Sequence, residues 1–148
     1  MKLINCILMG IAGICLISGC SGKPAIGLGK NGLLPCPDKP NCVSSLATDE
    51  SHSIVSLSYV GPREAAFKRL RAIVLSAGDV EIISETSDYM HATFKSKVFR
   101  FVDDVEFWFP ENGGIIHVRS ASRLGYSDLG VNRKRVEALR QVFEGQNK

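Results

Sequence analysis

Asn112-Gly113 falls between two runs of alternating apolar and polar residues, and no other pair in the chain constrains the fold as much. Asn-Gly is the strongest short hairpin signal, because both residues accept the left-handed backbone of a tight two-residue turn. With that pair as the turn, Phe109 faces Ile116, Phe107 faces Val118 and Val105 faces Ser120. These side chains form one apolar face. The other face holds Trp108 with His117, Glu106 with Arg119, and Asp104 with Ala121. Slipping the register by one residue would send every apolar side chain to the wrong face, so turn chemistry and hydrophobic pattern specify the same pairing.

The remaining elements follow from periodicity. Ile54–Val60 alternates as a strand, and Gly61-Pro62 ends it. Pro62 is a good helix opener; Phe67, Leu70, Ile73, Val74 and Ala77 recur at helical spacing, and Gly78 stops the helix. Val80–Thr86 and Tyr89–Lys97 read as strands around a Ser87-Asp88 turn, and Phe101–Pro110 and Ile115–Ser122 as the second hairpin. Val136, Leu139, Val142 and Phe143 mark a closing helix over residues 132–144. Strands joined by such short turns are antiparallel. The expectation is an α+β domain, order β-α-β-β-β-β-α, with about five antiparallel strands and two helices on one face.

The amino terminus carries a different message. An apolar run of about 14 residues from Ile4 to Ile17 follows Lys2, and Ile17-Ser18-Gly19-Cys20 closes it. The run is short for a bilayer span, which needs roughly 20 residues, and suits the core of a signal peptide. The closing tetrad resembles the lipobox of bacterial lipoproteins, which implies cleavage before Cys20 and acylation of its thiol. Ser21 lacks the aspartate that holds such proteins in the inner membrane, so the resemblance implies an outer-membrane anchor facing the periplasm. Residues 1–19 are then the signal, 20–34 a Gly- and Lys-rich flexible tether, and 35–148 a single domain. The formal net charge of +3, part of it Lys2 in the signal, is too mild to suggest nucleic-acid binding.

Of five cysteines, Cys6 and Cys15 leave with the signal and Cys20 takes lipid. Cys36 and Cys42 remain as an even pair in an oxidising compartment, which points to a disulfide around Pro37-Asp38-Lys39-Pro40-Asn41. Their spacing matches no zinc pattern, and no metal or cofactor is expected.

Two features suggest a polar site. Asp103 falls on the apolar face opposite Ser122, and a buried carboxylate needs partners. Those are Ser122, backbone amides or an arginine of the last helix if its role is structural, and a ligand if it edges a pocket. Arg133-Lys134-Arg135 opens the closing helix, where cations oppose the helix dipole. Asp103, Asp104, Asp128 or an anionic ligand would compensate, with Arg119 and Arg123 joining the cluster.

Three blocks, 34–45, 99–107 and 117–136, together resemble the uncharacterised bacterial family designated domain of unknown function fourteen ninety-nine, over roughly residues 33–143. The resemblance implies a small domain behind a signal or membrane segment and supplies no reaction. The candidate ligand-binding residues are Asp103, Arg119, Arg123, Tyr126, Asp128 and Arg133. The leading expectation is a non-catalytic envelope lipoprotein binding a small anion or a protein partner. The alternative is a periplasmic hydrolase using Asp103 with His117 or Ser44, although Asp103 and His117 fall on opposite sheet faces. Trp108 beside His117 marks either a partner-binding patch or a surface covered by a loop or the amino-terminal arm.

Overall fold

The computed structural model describes residues 25–97 and 99–146; the signal segment, Cys20 and the first residues of the tether lie outside the described residues. The strands are β1 (Leu28–Gly29), β2 (Gly32–Leu33), β3 (Cys42–Ser44), β4 (Leu57–Ser58), β5 (Val80–Glu85), β6 (Tyr89–Lys95), β7 (Val102–Trp108) and β8 (Ile115–Ser122). The helices are α1 (Arg63–Ser76) and α2 (Val131–Gly145). The fold is α+β. The main sheet runs β3-β8-β7-β6-β5, and β4 also pairs with β8. No described helix is long and apolar enough to cross a membrane.

The central hairpin has the register that alternation dictates: Asp103 opposite Ser122, Glu106 opposite Arg119, Phe107 opposite Val118. Its connection is wider than a two-residue turn. The paired positions stop at Trp108–His117, and Gly113 and Gly114 both take left-handed backbone, φ +65° and +75°. The hydrophobic pattern holds the register even though the tip opens.

One face of this sheet carries the core. Met90, Ala92 and Phe94 of β6, Val105 and Phe107 of β7, and Ile116 and Val118 of β8 are buried against both helices. Helix α1 contributes Ala66, Leu70, Ile73 and Val74, and α2 contributes Val136, Leu139 and Phe143. Pro62 precedes α1, and Gly78, at φ +133°, takes the chain out of it.

Two expectations about the amino-terminal half need correction. Ile54–Val60 does not run as one strand. Backbone bonds from Ser44 N–H to the His52 carbonyl and from Ile54 N–H to the Ser44 carbonyl hold its start beside β3, so only Leu57–Ser58 reaches the sheet. The outer edge of β8 is consequently shared, with β3 on Arg119–Ala121 and β4 on Ile115–Ile116.

Nor are residues 25–34 free of the domain. Strands β1 and β2 pair with each other and lie over the outer face of the main sheet. The Gly27 N–H donates to the Glu106 carboxylate at 2.7 Å. Gly32 packs so closely on Trp108 that a Cβ would stand 2.5 Å from a ring carbon. The arm is ordered because this face presents a carboxylate and an indole that need cover. Trp108 is therefore half-buried, its ring stacked on His117 with centroids 5.4 Å apart.

Candidate functional site

Polar side chains are buried on both faces of the central hairpin, and alternation along β7 decides which goes where. Asp104 and Glu106 point to the outer face and are fully buried. Glu106 accepts from the Tyr89 hydroxyl at 2.7 Å, from the Arg119 guanidinium at 2.8 Å and from the Gly27 N–H. Burial, and then the bond to the Glu106 carboxylate, pushes the Tyr89 phenol above its ordinary range. Asp104 accepts from Nε and Nη2 of Arg123, both at 2.8 Å, and lies 2.8 Å from His91 Nε2. Burial alone would raise the Asp104 carboxyl, but the Arg123 and His91 bonds outweigh it and hold it below its ordinary value.

Asp103 points to the helix side. Its partner is Arg135 of α2, at 2.6 Å, an arginine of the last helix as its burial requires. Arg135 also donates to the Asn132 side-chain oxygen at 2.7 Å and lies over the Phe94 ring. Asn132 is fully buried and uses its whole amide. Its oxygen accepts from Ser120 and Arg135, and its nitrogen donates to the Asn41 carbonyl and to Ser122, both at 3.0 Å. The Cys36–Cys42 disulfide forms as expected and closes the loop that presents Asn41.

The six residues proposed from sequence do not converge on one pocket. Arg119 is buried on the outer face with Glu106, on the opposite side of the sheet from Asp103. Arg123 is half-exposed but its guanidinium is held by Asp104. Arg133 donates to the carbonyls of Ser53 and Ser51 at 2.6 and 3.0 Å, strapping the 49–54 loop to α2. Asp128 accepts from the N–H groups of Gly130 and Asn132, which places its charge at the start of α2. Tyr126 is exposed. The cations that open α2 are offset from inside the protein, by Asp103 and Asp128. A single guanidinium cluster for an anion is not present among the described residues. The reason is geometric: residues 119 to 135 pass from a strand through a loop to a helix, and each arginine leaves in a different direction.

Hydrolytic groups are no better assembled. Asp103 and His117 occupy opposite faces, as register requires. Ser44 is buried, and its hydroxyl accepts from the Leu46 N–H. Ser45, not Ser44, meets His117: its Oγ lies 3.1 Å from Nδ1 and also accepts from the Val118 N–H. Among the described residues no carboxylate hydrogen-bonds the His117 ring, so the pair lacks the group that would orient a base. Burial pushes the His117 imidazole below its ordinary value. No group of three or more His, Cys, Asp or Glu among the described residues is placed to hold a metal.

Asn41 and Asn132 are buried polar residues that sequence reasoning did not single out. Asn132 was legible, because Val136, Leu139 and Phe143 extended back by one turn reach it. A cleft of about 390 Å³ opens beside the disulfide, lined by Leu33, Ser44, Leu46, Asp49 and His52 among others. The Ser51 hydroxyl, and then bonds from His52, lower Asp49 to about 2, so a carboxylate stands at its rim. That charge disfavours an anion there.

A model of the family described as protein of unknown function (DUF1499) matches residues 32–143. No curated protein and no solved structure matches the chain.

Proposed function

The chain belongs to the DUF1499 family, whose description names no reaction, and we propose that it is a lipid-anchored envelope protein whose domain binds rather than catalyses. In this reading Cys20 carries the acyl chains, the outer membrane is the anchor, and the domain faces the periplasm.

One observation carries the non-catalytic part. The buried ionisable groups are consumed by one another: Asp103 by Arg135, Glu106 by Arg119, Asp104 by Arg123 and His91. A catalytic acid or base has to keep a face toward substrate, and these faces are closed. The same pairing argues against a small anion as ligand, since the arginines that would hold it already have acceptors. What stays open is the Val102–Ser122 end of the sheet. Residues 96–97 and 99–101 and the loop 123–130 leave it side by side, linked by a bond from the Arg123 N–H to the Val102 carbonyl at 3.1 Å. We therefore assign binding to this end.

Two measurements test the reading. Labelled palmitate is incorporated into the wild-type chain and not into Cys20→Ala; incorporation into neither refutes the anchor. A photo-crosslinking residue at Tyr126 captures an adduct in intact cells, whereas the same residue at Leu75, exposed on α1, captures none. No adduct at Tyr126 refutes the binding surface.

A further inference from the structure

The geometry points to an anionic lipid surface as what the Val102–Ser122 end binds, so that the anchored domain touches its membrane a second time. This rests on the lipid-anchor reading and adds the identity of the surface's partner.

The end is apolar where soluble surfaces usually are not. Phe99, Phe101, Leu124, Tyr126 and Leu129 are 74, 52, 71, 70 and 86% exposed, all on these two adjacent loops. Single exposed apolar residues are ordinary, but a concentration on neighbouring loops marks an interaction site. Phe99 and Phe101 stack on each other, centroids 5.7 Å apart, rather than folding into the core. Both non-glycine residues with left-handed backbone among those described, Arg100 at φ +53° and Leu129 at φ +56°, lie in these loops. Strained backbone of this kind tends to be kept where it serves a contact. Hydrogen bonds nevertheless tie several of these described residues down. Ser96 accepts from the backbone of Arg100 and Phe101, and the Asn41 amide donates to the Gly125 carbonyl at 2.8 Å.

Charge selects the occupant. Lys97 and Arg100 are exposed around the aromatic loops and Lys95 is half-exposed; Arg123 does not join them, because Asp104 holds its guanidinium. The acids of the same end are largely withdrawn: Asp103 and Asp104 are buried in ion pairs, and Asp128 is bound to helix N–H groups. Asp79 stays exposed beside Lys95, and Asp38 stands next to Lys39. Aromatic and aliphatic tips ringed by cations match the interface of a bilayer carrying acidic headgroups.

The tether permits this orientation. Cys20 precedes Gly27 by seven residues, which reach at most roughly 25 Å when extended. Gly27 is held at Glu106, and the four residues from there to Val102 cover about 13 Å of strand. The acyl chains and the Phe99–Phe101 loop can therefore meet one membrane plane.

The test uses the acylated protein in vesicles of phosphatidylethanolamine and phosphatidylglycerol, with bromine on the acyl chains as a fluorescence quencher. Phe101→Trp should lose more than about half its added emission, as expected for a ring taken into the headgroup boundary. Val60→Trp, exposed near the opposite end of the sheet, should lose none. Lys97→Ser and Arg100→Ser should each weaken docking about fivefold in these vesicles and not in phosphatidylcholine. Equal emission from both tryptophan variants while the protein still floats with the vesicles overturns the docking and leaves the anchor intact. Protein that carries no acyl chain refutes the anchor instead, and docking is then read by titrating that chain against the same vesicles. A protein adduct rather than a lipid adduct from Tyr126 in cells also overturns the lipid assignment.

Discussion

Arg119→Met tests whether the outer-face charges are structure or site. Glu106 is fully buried and accepts from Tyr89, Gly27 and Arg119. Removing the guanidinium leaves a buried carboxylate with two neutral donors. Breaking a buried pair from one side costs about 3–5 kcal/mol, most of it the stranded charge. Adding Glu106→Gln removes that charge while the amide oxygen keeps accepting from Tyr89 and Gly27; the amide nitrogen, in place of the oxygen that faced Arg119, is left without an acceptor, so the double variant should cost about 2 kcal/mol. The pair is also imperfect as built, because Arg119 Nε is buried without a partner among the described residues, which makes neutral replacement easier still. With a urea dependence of about 2 kcal/mol per molar, the single variant should lower the unfolding midpoint by about 2 M and the double variant by about 1 M. Trp108, the one tryptophan of the chain, reports the transition by fluorescence. A single variant within about 0.5 M of the wild type, or a double variant no better than the single, would refute the argument.

Four further outcomes are expected. Asp104 is held below its ordinary value, so its contribution is present above the carboxylate range and is lost as pH falls through it; thermal melts of Arg123→Ala should show lower stability at neutral pH and a flatter acid limb. Tyr89 is raised, so its contribution is complete below the ordinary phenol range and fades above about pH 10; Tyr89→Phe should abolish that alkaline loss. Replacing Cys36 and Cys42 by serine should cost at most about 2 kcal/mol, because Pro35, Pro37 and Pro40 already stiffen the unfolded loop, and amide exchange should rise at Ser122, whose N–H donates to Asn41. Leu129→Gly should leave stability unchanged or raise it by up to about 1 kcal/mol, since it relieves a left-handed leucine whose side chain is exposed; a loss of 2 kcal/mol or more, roughly the worth of a buried leucine, would show a packing role.

The central hairpin was legible because its information is local. Turn residues and alternation lie within about twenty positions of one another, and they fixed both the register and the inward direction of Asp103. The edges were not legible, because β3 and β4 choose the two halves of β8 from far along the chain, and nothing in Cys42–Ser44 announces that partner. The arginines illustrate the same limit. Arg135 neighbours Asn132 and Leu139 on the buried stripe of α2 and so reaches Asp103, while Arg133 leaves sideways to the 49–54 loop. Composition marked 119–135 as a basic cluster, but only the angles at which strand, loop and helix leave one another decide that its members face apart. The Gly- and Lys-rich stretch before the domain read as a flexible tether. Its glycines instead permit close approach to Trp108.

The clasp between Gly27 and Glu106 bridges 79 positions of chain, and that between Asn41 and Asn132 bridges 91. A polypeptide threading outward from its front end must therefore keep its earliest residues waiting. The arm has nothing to lie on until the last hairpin has emerged, and the buried acids stay wet until then. Loop-closure entropy over such spans falls due before the contacts repay it. Folding of this domain is consequently an end-to-start event: the first of these segments to emerge is the last to find its seat.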